Sequence, residues 1–427
     1  MAQSTGQAGA GFQDGLMGLA TPEAEPMGVP DLTLVNGLLD GMGAPAESRG
    51  ALESLAWRIG VEVAGPAAAD VDREARFPVE TVEELRKNGL LSAMIPEHLG
   101  GRGASLAEVA GAVRALAFHC TASALVLAMH SIEVSNLVRH GSTEPLQDLM
   151  AEIAAQQLLI ANANSEAGIG GDVGRSLCAI EPTDEGLRLE KEALAISYGE
   201  YADLIAVTAR GNPDSEQTDQ VQVYCRRADF TLEQTSSWET LGLRGTCSNG
   251  FRLVARIDPS LIYPVPFGVI AGDGGIQAST ILLSSAWVGL AEVAASKAHA
   301  YVRAAARRNI GTLPPAASHL AVLAAELQQA RSMLTTTANT FTVLAESPEM
   351  EGPRYVAAVR NLKVVSSELA VKIATAALAI CGIAGYKSDT PFALDRHLRD
   401  AHGAVVMVSN ERYLRANAEM LVARKHL

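Results

Sequence analysis

Ser165-Glu166 stands immediately before Gly168, Gly170 and Gly171. A hydroxyl and a carboxylate beside glycines can hold a cofactor close to the main chain, although glycine clusters also make ordinary loops between a helix and a strand. Arg307, within Arg307-Arg308-Asn309-Ile310-Gly311, carries a guanidinium suited to gripping a phosphate through paired N–H groups, or to standing solvated at a helix end. His130 closes the apolar stretch Leu125–Met129, and His397 and His402 lie near the C-terminus. An imidazole either passes protons near neutrality or sits in a core with a carbonyl partner. Glu411 offers a carboxylate, which in a dry pocket becomes a base able to take a proton from carbon. Cys120, Cys178, Cys225, Cys247 and Cys381 are widely separated and include no C-x-x-C pair. They indicate neither a disulfide framework nor a zinc site, and no metal ligand set is expected.

The elements that must position these residues change character along the chain. Residues 1–47 are rich in Gly, Ala and Pro without sustained periodicity and read as a flexible N-terminal extension. Residues 48–157 read as a helical domain. A helix is expected after Phe77, with Pro78 in its first turn, Val82 and Leu85 on one face, and Gly89 closing it. Leu106, Val109, Ala110, Val113, Leu116 and Ala117 form a second apolar stripe at helical spacing. Residues 158–268 read as a β domain, because Leu187–Leu189, Leu204–Thr208, Val221–Cys225 and Phe251–Ile257 lie between turn-forming clusters. Residues 269–427 read as an antiparallel bundle of four long helices, interrupted at Pro314-Pro315, between Pro348 and Pro353, and near Pro391.

With 427 residues and 48% apolar content the chain can bury large cores. Its net charge of −14 and pI near 5.2 oppose binding to nucleic acid or an anionic membrane surface. The first basic residue is Arg49, so the N-terminus lacks the charged start of a signal peptide, and no apolar run is expected to reach the ~18 residues of a membrane span. A soluble protein of the reducing cytoplasm is expected.

Four further segments occur in a recognisable order: Ile95-Pro96-Glu97-His98-Leu99-Gly100-Gly101, Ser165 through Val173, Leu241-Gly242-Leu243-Arg244-Gly245-Thr246, and Cys381-Gly382-Ile383-Ala384-Gly385-Tyr386 followed by Arg396, Arg399 and Asp400. Together they resemble the signatures of the acyl-CoA dehydrogenase family over the last five-sixths of the chain. The resemblance implies mainly α architecture with a central β domain: N-terminal helices, a barrel-like β module and a C-terminal four-helix bundle. It also implies FAD, bound between the β domain and the bundle and completed by a neighbouring subunit, hence a homodimer or homotetramer. Ser165 occupies the place of a hydroxyl that reaches the flavin, and Ile196-Ser197 matches a segment backing its ring, with Ala195 where the family has Trp. Arg307 matches a phosphate-binding Arg, with Ile310 replacing a Phe. Gly382 and Gly385 match glycines that admit the cofactor, whereas Ala379 and Ile383 depart from the pattern.

The family's catalytic Glu should stand nine residues after Arg399, where this chain has Val408, and the alternative position on the first bundle helix holds Ser279. Glu411, one helical turn beyond Val408, is the candidate replacement. The leading expectation is therefore FAD-dependent oxidation of an acyl thioester, on CoA or a carrier protein, at the α,β carbon–carbon bond, with the electron acceptor open. A flavin monooxygenase of the same fold, using His130 with His402 or His397, needs no such base. A non-catalytic oligomeric scaffold is the third reading.

Overall fold

The computed structural model describes residues 50–308, 310–345 and 347–423; the expected extension over 1–47 lies outside them. Helix α1 (Ala51–Ile59) continues through a π-turn (Gly60–Ala64) into α2 (Gly65–Arg73). Glycine is required at position 60, because a Cβ there would stand 2.2 Å from the His119 ring. Helix α3 (Val79–Lys87) begins after Pro78, and Gly89 follows it with a left-handed φ of 65°. Helix α4 (Leu106–Ala117) starts on a reciprocal cap in which Ser105 Oγ accepts from the Glu108 N–H and the Ser105 N–H donates to the Glu108 carboxylate. All six residues of its expected apolar stripe are buried. Helix α5 (Thr121–His140) is covered on nearly every side, and α6 (Glu144–Gln156) leads to the β domain.

Among the described residues, seven strands form two sheets. Strands β1 (Ile160–Ala163), β4 (Leu204–Arg210) and β5 (Gln220–Arg226) make one, with β1 parallel to β4 (Ile160 opposite Leu204) and β4 antiparallel to β5. Strands β2 (Ile180–Thr183), β3 (Gly186–Ala193), β7 (Gly250–Ile257) and β6 (Phe230–Ser236) make an antiparallel second sheet in that order. The four runs read from sequence are strands. Strands β1, β2 and β6 escaped that reading because they are short or polar and show no alternation of burial strong enough to leave a pattern.

The bundle contains α7 (Ile276–Arg308), α8 (Ala317–Leu344) and α9 (Pro353–Cys381). The fourth position departs from the expected single long helix: it is divided into α10 (Asp395–Val406) and α11 (Asn410–Ala423) by a bend at 407–409. Helix α4 crosses α7 at Gly289, where a Cβ would lie 2.3 Å from the Arg114 carbonyl oxygen. At the same crossing the buried Glu292 carboxylate accepts from Arg114 at 2.7 Å and Arg331 at 2.6 Å.

One expectation is overturned. Among the described residues, three helical stretches, Thr121–His140, Phe267–Arg308 and Pro353–Cys381, are long and apolar enough to span a membrane by length and composition. In the first two, 94% of the apolar window is buried inside the protein, and in the third 50%. In the first stretch the apolar run is broken up in the sequence by Ser123, His130, Ser131, Glu133 and Ser135, all of which the fold buries.

Candidate active site

Segments distant in sequence converge on a cavity of about 760 Å³. Leu125 and Met129 of α5, Ala195 and Ser197 after β3, the loop from Trp238 to Ser248, Val371 of α9, and α10 from Arg399 onward with Met407 just past its end supply its walls. The size suits a small organic molecule, and the lining is mainly apolar with a few placed polar groups.

The loop 238–248 is fixed from outside the cavity. Gly242 packs so closely on α10 that a Cβ would stand 2.3 Å from the Arg399 carbonyl carbon. The Leu243 N–H donates to Asp400 Oδ1 at 2.7 Å, with Leu243 held at a left-handed φ of 57°. Burial pushes the Asp400 carboxyl up to about 6, against the pull of Arg396. Arg399 makes two hydrogen bonds to the Asp72 carboxylate of α2, one at 2.8 Å, so its charge is answered within the protein.

Inside the cavity runs a line of hydroxyls. Thr246 Oγ1 donates to the Leu243 carbonyl at 2.9 Å and lies 2.8 Å from Ser248 Oγ, which lies 2.8 Å from Ser197 Oγ. Trp238 Nε1 also donates to the Leu243 carbonyl, at 3.2 Å. Among the described lining residues Arg399 and His402 are the only ones with titratable side chains, and none is Asp or Glu.

The residues expected at the site fall into three groups. Ser197 and His402 line the cavity, with Ile196 fully buried behind it. Ser165 is not among the lining residues but braces one of them: its Oγ donates to the Ala195 carbonyl at 2.9 Å and accepts from the Ala195 N–H at 3.2 Å. Its partner Glu166 turns inward: the buried carboxylate accepts from the N–H groups of Leu177 and Cys178 and from Lys191 Nζ at 3.2 Å, fixing the glycine loop rather than a ligand. Arg412 grips that loop through the carbonyls of Gly170 and Gly171.

The second group is displaced from the cavity. His130 is corrected to a structural residue: Nε2 faces the Leu91 carbonyl at 2.6 Å, Nδ1 accepts from the Ile160 N–H at 3.0 Å, and burial lowers its pKa to about 4. No ring nitrogen is left for a substrate. Glu411 lies exposed on the first turn of α11 and is not among the lining residues, and the alternative Ser279 is likewise outside the lining. His397 is buried, with desolvation driving its pKa well down. The third group lies at the end of the bundle: Arg307 is exposed on the last turn of α7, while Gly382 and Gly385 flank the end of α9. One chain does not bring these three to the cavity.

Val408 stands beside Met407 at the cavity edge with φ 54°, a left-handed conformation costly for a β-branched residue. The bend is held from below by Lys363, whose buried Nζ donates to the Ala404 carbonyl at 3.2 Å and to Asn410 Oδ1; burial lowers its pKa to about 8.

Sequence reasoning passed over Ser248 and Trp238, and saw Thr246 as part of a motif without its hydroxyl chemistry. Thr246 ends a 3-10 turn and Cys247 is left-handed with φ 45°, so no strand alternation marked the pairing of Thr246 and Ser248 in the sequence. Nothing local pointed to Asp72.

Residues 50–157 match the description "Acyl-CoA dehydrogenase, N-terminal domain" and residues 272–407 match "Acyl-CoA dehydrogenase, C-terminal domain". The "Probable acyl-CoA dehydrogenase FadE25" of Mycobacterium tuberculosis is 26% identical over 367 residues, covering 83% of this chain and 89% of its own. Among solved structures, FMN-bound TdsC from Paenibacillus sp. A11-2, a dibenzothiophene monooxygenase, superposes with TM-score 0.77 at 19% identity, covering 88% of this chain and 98% of that one. Butyryl-CoA dehydrogenase from Megasphaera elsdenii superposes with TM-score 0.74 at 20% identity, covering 93% and 100%. The arrangement of N-terminal helices, central β domain and C-terminal bundle is thus shared with the superposed structure, and the chain belongs to the acyl-CoA dehydrogenase-like superfamily of flavoprotein oxidoreductases.

Proposed function

We propose that the protein is a flavin-dependent monooxygenase built on the acyl-CoA dehydrogenase fold. The observation that carries this reading is the cavity wall: among the described residues it presents His402 and a line of hydroxyls, and no carboxylate. Removal of a proton from the α-carbon of a thioester needs a positioned base, and neither Val408 nor the exposed Glu411 supplies one there. Oxygenation has no such requirement. A flavin fits the residues present, since apolar surfaces from Leu125, Met129, Trp238 and Met407 suit a flat ring and Ser197, Thr246 and Ser248 suit its polar edge. When bound and reduced, the flavin supplies the electrons with which one atom of O₂ enters the substrate and the other leaves as water. The protein orients the organic substrate against the apolar wall and limits water, while His402, at the exposed end of the cavity, holds or passes a proton.

The flavin is assigned as FAD, with Arg307 gripping a phosphate of cofactor held mainly by a neighbouring subunit. Its exposure at the end of α7 makes it available for that contact. Exposed apolar side chains on the last helices, among them Ile383, Tyr386 and Val406, support association into a homodimer or homotetramer. Dehydrogenation of an acyl thioester is the second reading, supported by similarity to FadE25 along 83% of the chain.

The absorption spectrum of the purified protein, followed by anaerobic addition of acyl-CoA thioesters, separates the two. Flavin that ignores thioesters, but whose reduced form consumes oxygen and oxygenates an aromatic probe, with loss of at least ~100-fold in His402→Ala and little change in Glu411→Gln, is the expected result. Bleaching by a thioester that Glu411→Gln abolishes would establish the dehydrogenase instead.

A further inference from the structure

The hydroxyls on the cavity wall have a direction. A carbonyl cannot donate, so the proton of Thr246 Oγ1 lies on the bond to Leu243. Each hydroxyl has one proton, so Ser248 must donate to Thr246, and Ser197 in turn to Ser248. Ser197 then faces the cavity with lone pairs alone. The hydroxyl at the end of the line thus offers a ligand an acceptor, not a donor.

Resting on the flavin reading above, we infer that Thr246 and Ser248 are positioning residues that turn Ser197 into a hydrogen-bond acceptor, so that this wall selects a ligand presenting a ring N–H, as two-electron-reduced flavin does at nitrogens the oxidised ring leaves bare. The anchor of the line is the Leu243 carbonyl. Its peptide group is fixed by the Asp400 bond to the Leu243 N–H and by the left-handed turn of that residue. For Ser197 to donate to a bare nitrogen, all three hydroxyls must reverse and Leu243 must give up its shortest bond, that from the Thr246 hydroxyl, keeping those from the Thr246 N–H at 3.1 Å and from Trp238 at 3.2 Å. Thr246 and Ser248 are buried, so water does not readily replace the missing partner.

The test is anaerobic calorimetric titration of the full-length protein with oxidised FAD and with photoreduced FAD, reported as the ratio of the two dissociation constants. The parent is expected to bind reduced flavin more tightly. Thr246→Val keeps the shape but removes the acceptor for Ser248, which can then donate to Ser197 and release the Ser197 proton towards the ligand. Ser248→Ala releases that proton by a different route. Both should lower the preference for reduced flavin by about five- to tenfold, the effect of one net hydrogen bond, whereas Thr246→Ser should behave as the parent. An unchanged or increased preference in Thr246→Val and Ser248→Ala, with flavin bound and melting temperatures close to the parent's, overturns the inference. Failure of the parent to bind either form overturns the flavin reading itself, and this inference with it.

Discussion

The main-chain N–H of Leu243 and the buried Oδ1 of Asp400 meet at 2.7 Å, joining the loop after β6 to helix α10, 157 residues later. Through this bond a carboxylate that does not line the cavity fixes the peptide whose carbonyl anchors the hydroxyls that do. The Asp400 carboxyl is held at about 6 by burial, above the ~3.9 of an unfolded chain.

That relationship gives stability a pH dependence of defined sign. A raised folded pKa means that the native state holds the proton more tightly, so the contribution is complete below about pH 4 and lost as pH rises through about 6. Asp400→Asn keeps an acceptor for Leu243 and carries no charge. Its melting temperature, relative to the parent's, should rise between about pH 4 and 6.5. A difference that stays flat across paired calorimetric scans would contradict the burial of an ionising group at this position.

His130→Ala should damage folding rather than chemistry. The imidazole joins the Leu91 carbonyl to the Ile160 N–H inside the protein, and its loss leaves two buried main-chain groups without partners. At about 1–3 kcal/mol for each, plus a void, the loss should be about 3 kcal/mol or more in urea unfolding. Flavin affinity of the fraction that remains folded should match the parent's. A large loss of turnover at full stability would return His130 to the site.

Val408→Gly should relieve the bend. Left-handed backbone costs a non-glycine residue about 1–2 kcal/mol, partly offset by the greater freedom glycine has when unfolded, so a net gain of about 0.5–1 kcal/mol is expected. The side chain is 43% exposed, which keeps the packing loss small. Chemical denaturation measures this directly, and a loss of stability would show that the Val408 side chain packs more than its exposure implies.

Much of the architecture was legible in the sequence because it depends on short-range periodicity. The stripe from Leu106 to Ala117, the Pro78 start and Gly89 stop, and the proline interruptions of the bundle all act within a few residues of themselves. The four motifs identified the family for the same reason: each is a local turn or contact. The missing carboxylate at Val408 was also plain, since it required only counting from Arg399.

What tertiary structure decided was direction and company. Ser165 and Glu166 are neighbours in sequence, yet one braces the main chain of the cavity-lining Ala195 and the other is drawn inward by Lys191 and two main-chain N–H groups. His130 and His402 are the same side chain by type, but His130 is closed off by main chain on both nitrogens while His402 opens to the cavity. Ser197, Thr246 and Ser248 become one polar line only because the chain returns after about fifty residues and the Leu243 carbonyl gives that line its polarity. Such roles depend on which donor or acceptor faces a group across the fold, and residue type and local spacing do not specify that partner.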